Sequence, residues 1–470
     1  MAKTFLINAG ALSGARVFLA LSQVVVIPIV ARFLDPVAFG DMALAMSVVV
    51  FSQILSDAGL GRSLIRQKHY NPAEWNSVFW LLVGVGVSLA TIILILAPIW
   101  ARVFERPVLW PMVSILATLP LLNALTAVSI ARMEREGQFP VLAAIRIAAG
   151  VAGLVAVIGM AVAGFGVWAL VGQQLMIGFV QTAAAHAASP FRPVAPRNFT
   201  PLGNHLRFAG DNISVSMLVA VQRQVPILMI GSVLGSAQLG FFSMAERVLV
   251  LSRTAVAAPV AQVVYPKMSR VQDDGPAVAR AYLASCHIIA LAICPPMAVL
   301  GGGAQALFPL LLSETWAPVA TVFALAAPGI MLEISTSSAG VMFQALDRTR
   351  LRVRMITEKT ILRIVIIGVA VFFGLEAAAL GVTVASVIFH WRYIDFAGRV
   401  APVSQLAVLR AFMITSVVST AAWVVMWGLS TQVPPLHVMY YAAVILPLTW
   451  GLAVLLQLKR VRLSITSLNT

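Results

Sequence analysis

Apolar runs of about twenty residues, broken by short polar turns, recur along the whole 470-residue chain. A helix rises 1.5 Å per residue, so roughly 20 apolar residues carry it across the hydrocarbon core of a bilayer. The runs meet that length. The alternating segments of about ten residues that mark barrel strands are missing. Fourteen helical spans are expected, bounded by charge or by Gly and Pro. The first six cover about 6–32, 42–64, 78–100, 109–131, 141–163 and 167–188. The next six cover about 207–232, 240–266, 280–302, 318–344, 356–374 and 378–398, and the last two about 407–428 and 437–457. The longest connection, Ser189 to Leu206, holds Pro190, Pro193, Pro196 and Pro201 and separates six spans from six. Proline clusters of this kind mark linkers. The expected organisation is a six-helix half over 1–188, a cytoplasmic linker over 189–206, a second six-helix half over 207–399, and two further helices with a basic tail over 400–470.

An even number of spans leaves both halves in the same orientation, as in a parallel repeat about an axis along the membrane normal. Phe33-Leu34-Asp35-Pro36-Val37-Ala38-Phe39-Gly40 lines up with Val233-Leu234-Gly235-Ser236-Ala237-Gln238-Leu239-Gly240. Only Leu and Gly are identical; the match draws its force from the equivalent place each segment holds in the hydropathy pattern. Gly164 to Leu170 separates spans five and six as Gly374 to Leu380 separates eleven and twelve. Charged loops, Arg132 to Glu136 and Asp347 to Arg354, follow spans four and ten.

Composition agrees. The chain is 60% hydrophobic and 10% charged, whereas soluble domains carry nearer 25% charge. The net charge of +15 does not point to nucleic acid, because the basic residues sit in short loops. With the N-terminus in the cytoplasm, 23 of the 32 Lys and Arg fall in inner loops, 3 in outer loops and 6 inside spans. That bias places both termini inside. Lys3 precedes an apolar run that continues to Val30 without a clear small-residue cleavage site, so the run reads as a retained first span. Cys286 and Cys294, the two cysteines, lie eight residues apart in one span and form neither a metal spacing nor a disulfide framework.

Several ordered segments carry a family resemblance: Ala31-Arg32-Phe33-Leu34-Asp35-Pro36 with Phe39-Gly40, Asp57-Ala58-Gly59-Leu60-Gly61, Gly166-Val167-Trp168-Ala169-Leu170, Ile230-Gly231 through Leu239-Gly240-Phe241-Phe242-Ser243, and Tyr265-Pro266-Lys267 through Asp274. In this order they resemble the Wzx-type lipid-linked oligosaccharide flippases of the multidrug/oligosaccharidyl-lipid/polysaccharide exporter superfamily, over nearly the whole chain. The resemblance implies an all-α polytopic membrane protein: two six-helix bundles around a central cavity, plus two extra helices. It also implies transfer of a polyprenyl-diphosphate-linked sugar repeat, a precursor of exopolysaccharide, O-antigen or capsule, across the bacterial inner membrane. Its partners would be that lipid-linked substrate, the bilayer, and a polysaccharide polymerase with its co-polymerase. No cofactor is implied; a coupling ion, where one is used, would be Na+ or H+. Members often carry an Asp five residues before the Gly of the Ile-Gly pair in span seven, and here that place is Pro226. The role of that carboxylate does not carry over.

The residues themselves point to an anionic substrate. A charge at the centre of a membrane span costs at least about 2.5–3.5 kcal/mol, and Arg binds phosphate oxygens bidentately while keeping its charge. Arg16, Arg223, Arg247 and Arg253 are the candidate diphosphate ligands. Arg16 and Arg223 hold roughly matching depths in equivalent spans, and neither has an acid three or four residues away. The competing role is neutralisation of nearby acids, with Arg363 pairing Glu333 across spans. Gln23, Gln53 and Gln222 are candidate partners for sugar hydroxyls, and equally for neighbouring helices, at about 0.6 kcal/mol each. Asp57, Asp211, Asn212 and Glu333 are the candidates for gating or ion coupling. Pro28 and Pro226 interrupt matching spans and are the candidate hinges.

Two other readings compete. A drug or small-cation exporter of the same superfamily would need acids in its cavity, where this chain has arginines. A membrane-bound polysaccharide polymerase or glycosyltransferase would need catalytic groups on a sizeable loop, and no nucleotide-sugar, metal or Walker-type motif is found. The expectation is therefore a transporter without enzymatic activity, working by alternating access of its two halves.

Overall fold

The computed structural model describes residues 2–57, 60–65, 69–194 and 203–457, with the side chains of 2–9, 12, 13, 57, 62, 204–212, 214, 252–255 and 258, among them Asp57, Asp211, Asn212 and Arg253, outside the described set. Regular structure in the described residues is entirely helical. In chain order the helices are α1 (Ala2–Ala31), α2 (Pro36–Asp57), α3 (Leu60–Ile65), α4 (Pro72–Val103), α5 (Leu109–Leu116), α6 (Thr118–Arg135), α7 (Phe139–Val162), α8 (Trp168–Ala188) and α9 (Gly203–Arg270). There follow α10 (Gly275–Gly302), α11 (Ala304–Leu312), α12 (Ala317–Ser335), α13 (Ser338–Ala345), α14 (Thr349–Ala370), α15 (Leu375–Gly398), α16 (Gln405–Gln432) and α17 (Pro435–Leu455).

Each expected span has a helix or helix pair in its place. Among the described residues, eleven stretches are long and apolar enough to cross a membrane. The protein is thus a polytopic all-α membrane protein. The fourteen expected spans also include α8 and α14 and treat α9 as two. Those helices carry the polar load: Gln173, Gln174, Gln181 and His186 on α8, and Arg350, Arg352, Arg354, Glu358, Lys359 and Arg363 on α14.

Local chemistry sets the helix ends. Asn71, Asp274 and Ser404 cap α4, α10 and α16, each side chain accepting a backbone N–H of the first turn. Proline in the first turn of α4 and α10 removes a donor that would otherwise lack a partner. Two of the helix stops fall in the register of the expected repeat. After α6, Gln138 N–H donates to Met133 C=O at 2.9 Å and Gly137 N–H to Glu134 C=O at 3.1 Å. After α13, Arg348 N–H donates to Phe343 C=O at 2.8 Å and Asp347 N–H to Gln344 C=O at 3.4 Å. Both are Schellman turns, and every atom pair is offset by the same 210 positions. The turn needs a left-handed residue, supplied by Gly137 (φ 72°) in one copy and Asp347 (φ 53°) in the other.

The chain divides into two compact units, Met1–Gly240 and Phe241–Thr470. In the first, α7 packs on α8 and α1, and α6 on α4, α2 and α8. Its core gathers Leu64, Trp75, Phe79, Leu82, Val128 and Phe191. Phe191 belongs to the linker, whose first residues are strapped to α4: Trp80 Nε1–H donates to Val194 C=O at 2.7 Å, and Val194 N–H donates to Asn76 Oδ1 at 2.9 Å. The first part of α9 also belongs to this unit, up to Gly240. In the second unit α10 packs on α16, and α15 on α12 and α14, around Tyr282, Phe343, Phe389, Phe396 and Phe412. The terminal helices are built in: Gln457 bridges His287 of α10 (2.8 Å) and Thr415 of α16 (2.9 Å), all three in a buried network.

Candidate functional site

In the first unit, α1 buries Ala15, Val26, Ile27 and Val30 and leaves Arg16 exposed. Gln23 lies seven residues on, half-buried, on the same helix face two turns away. Pro28 is half-buried one turn later. Arg223, on the first part of α9, is also exposed. Its neighbours Gln222 and Gln224 are each only 8% exposed, and Pro226 is buried. Both amides are buried, and the guanidinium between them is exposed. Among the described residues, neither Arg16 nor Arg223 has an acid within ion-pair distance. A guanidinium on an apolar membrane helix with no acid beside it must find water, a headgroup or a bound anion, because hydrocarbon excludes it. Gln53 on α2 is half-buried.

The remaining candidates fall in three groups. Asp57, Asp211, Asn212 and Arg253 lie outside the described residues. Arg247 is partly buried and engaged by neighbouring groups. Glu333, on α12, is not a lone acid. Lys359 Nζ lies 2.8 Å from its Oε1 and Arg363 Nη1 3.6 Å from its Oε2, with the three side chains 10%, 15% and 13% exposed. The Arg363 partnership is the one expected from sequence; the closer Lys359 contact is not. Beside the triad, Thr336, Ser386, His390 and Tyr393 line a small cavity with Glu333 and Lys359. Both ring nitrogens of His390 lack a partner among the described residues.

In the first unit, sequence reasoning missed a charged pair. Asp41, in the second turn of α2, is 3% exposed, and Arg106, between α4 and α5, grips both its oxygens: Nε to Oδ1 at 3.1 Å and Nη2 to Oδ2 at 2.7 Å. The hydrogen bonds and charge of Asp41 push the Arg106 guanidinium above its ordinary pKa. Nothing local links two residues 65 positions apart; the one available signal was a carboxylate next to an otherwise apolar run.

Comparison with known proteins bears on the family and the fold. Residues 29–321 match a family described as "Polysaccharide biosynthesis protein". The succinoglycan biosynthesis transport protein ExoT of Rhizobium meliloti (strain 1021) is 27% identical over 318 residues, 66% of this chain and 64% of ExoT. The lipopolysaccharide biosynthesis protein WzxC of Escherichia coli (strain K12) is 22% identical over 388 residues, 79% of this chain and 77% of WzxC. Among solved structures, the lipid II flippase MurJ in an inward closed conformation superposes with a TM-score of 0.79 at 13% identity, covering 97% of this chain and all of MurJ. A multidrug resistance MATE transporter of the MOP superfamily gives 0.61 at 15% identity, over 83% of this chain and 98% of the transporter. At such identities the structural likeness is one of fold. The family match runs through more than half of the sequence, and the chain belongs to the polysaccharide biosynthesis protein family.

Proposed function

We propose that this protein carries a polyprenyl-diphosphate-linked oligosaccharide from the cytoplasmic to the outer leaflet of the bacterial inner membrane by alternating access. It is a multi-pass membrane transporter, not an enzyme. The observation that carries the substrate reading is the pair Arg16 and Arg223. Both are exposed, and neither has an acid beside it among the described residues. A diphosphate is the anion a lipid-linked sugar presents, and two guanidinium forks would hold it while the prenyl tail stays in lipid. Amides such as Gln23 and Gln53, half-buried in the same unit, are suited to sugar hydroxyls. The relatives' names, a succinoglycan transport protein and a lipopolysaccharide biosynthesis protein, support a sugar-polymer precursor. Both termini lie in the cytoplasm in this reading, on the strength of the charge bias in the loops. Coupling to Na+ or H+ would fall to Asp57, Asp211 or Asn212 ahead of Glu333, whose charge already serves two cations.

Deleting the gene and extracting the lipid-linked sugars tests this. Accumulation of a completed lipid-linked repeat with loss of surface glycan is the expected result, and the mass of that lipid would identify the repeat. Normal surface glycan and lipid pools, with new sensitivity to cationic dyes, would replace it with the drug-exporter reading.

A further inference from the structure

The helices around Glu333 have counterparts in the first unit. Arg135 and Ala345 end α6 and α13, Phe139 and Thr349 start α7 and α14, and Ala188 and Gly398 end α8 and α15; the members of each pair are 210 positions apart. Packing follows the same pattern, with α6 and α7 on α8 in one unit and α12 and α14 on α15 in the other. In that register Glu333, Lys359, Arg363 and His390 fall opposite Asn123, Ala149, Gly153 and Val180. The first unit builds this arrangement with no charge at the four places, so the packing does not call for the cluster.

The cluster is also out of balance. Glu333 brings one negative charge against two cations, Lys359 at 2.8 Å and Arg363 at 3.6 Å. The neighbouring acids on α14 and α15, Glu358 and Asp395, are bonded to Arg354, Arg392 and Arg399, three cations for two carboxylates. They leave nothing over to offset the surplus, and a proton on His390 would add to it. A surplus charge inside a membrane span is costly until something of opposite sign joins it.

The space for such a partner lies beside the triad. The cavity that Lys359 and His390 line measures about 10 Å³, room for one occupant near the size of a water molecule. His390 is 6% exposed, and both its ring nitrogens lack a hydrogen-bond partner among the described residues. It presents an N–H in either tautomer. The hydroxyls of Thr336 and Ser386, also on the cavity wall, already donate to carbonyls of their own helices at 3.1 and 2.9 Å. The group left over is thus a buried donor next to an ammonium, and a buried donor without a partner calls for an explanation.

We infer that this cavity in the second unit binds a single small anion of halide size. The Lys359 ammonium and the His390 N–H donate to it through charge-assisted hydrogen bonds, and its charge cancels the surplus of the triad. The charge of Glu333 is offset twice over, so the cavity has the field of a cation. A phosphate is too large for the space, which separates this site from the diphosphate contacts proposed for Arg16 and Arg223. The inference does not rest on the transport reading.

Thermal unfolding of the full-length protein in detergent, with chloride exchanged for gluconate at constant ionic strength, tests it. A ligand that binds the folded state raises Tm, so Tm is expected to rise saturably with chloride and with bromide. Arg16→Ala combined with Arg223→Ala removes the other candidate anion ligands and should keep the rise. Lys359→Met leaves Glu333 and Arg363 as a balanced pair and should lose it, as should His390→Phe. A Tm indifferent to chloride would overturn the site. So would a rise that survives both Lys359→Met and His390→Phe, or one abolished by the changes at Arg16 and Arg223. The unaltered protein gives a direct readout that needs no variant to fold. Crystals grown in bromide should show an anomalous peak between Lys359 and His390, and a water molecule alone in that place would overturn the assignment.

Discussion

Arg16 and Arg223 are the exposed arginines among those inside the expected spans whose side chains are described. Arg363 has Glu333, Arg247 is engaged by neighbours, and Arg146 is half-buried on α7. Arg16→Ala or Arg223→Ala should abolish surface polysaccharide while leaving the amount of protein in the membrane unchanged. Immunoblots of membranes beside glycan staining would check both halves of that statement. Normal glycan in both variants would remove the diphosphate role. The Glu333 triad predicts the opposite pattern. Glu333→Gln strands two cations that are each under 16% exposed, and breaking a buried pair by removing one partner destabilises by about 3–5 kcal/mol. Thermal unfolding in detergent should show a clear fall in Tm, and the double variant Glu333→Gln with Lys359→Met should recover part of it.

At the level of elements, the paired Schellman turns offer a comparison internal to the molecule. Gly137 and Asp347 occupy the same turn 210 positions apart, one as glycine and one as a strained aspartate. A left-handed non-glycine residue costs roughly 1–2 kcal/mol, somewhat less for Asp, whose side chain bonds locally. Asp347→Gly should therefore raise Tm slightly. Gly137→Val should lower it, and Gly137→Asp should fall between, since the other repeat tolerates that residue. A scan of the three by intrinsic fluorescence would decide it. Equal Tm values for Val and Asp at 137 would mean the turn is not held as described. The strap of residues 189–194 on α4, through Trp80 and Asn76, makes the first part of the linker a piece of the first unit, not a free tether.

For the whole molecule, the distribution of Lys and Arg sets an orientation that labelling can check. Glu105, between α4 and α5, and Asp347, between α13 and α14, are both exposed and fall on opposite sides of the membrane if the termini are cytoplasmic. With Cys286→Ala and Cys294→Ala as background, Glu105→Cys should react with a membrane-impermeant maleimide in cells with a permeabilised outer envelope. Asp347→Cys should react only after lysis. The reverse result would invert the topology and, with it, the direction of transport.

Hydropathy alone determined the helical membrane class and where the apolar helices run, because a bilayer imposes its thickness on any chain that crosses it. Loop charges carried the orientation argument for the same reason: they respond to the membrane, not to the fold. The α9 break at Gly235 was legible as a short glycine-bearing turn. Tertiary structure decided the rest. It paired Asp41 with Arg106 and gave Glu333 a nearer cation in Lys359, because ion pairs form between side chains distant in sequence and leave no local periodicity. It also buried Gln222 and Gln224 and left Arg223 exposed, since which side chains of a membrane helix are covered depends on its neighbours. The weak match between residues 33–40 and 233–240 raised the expectation of a repeat, and only coordinates showed that the two segments touch at Gly40 and Gly240. A glycine chosen for close approach reads, in sequence, like any other.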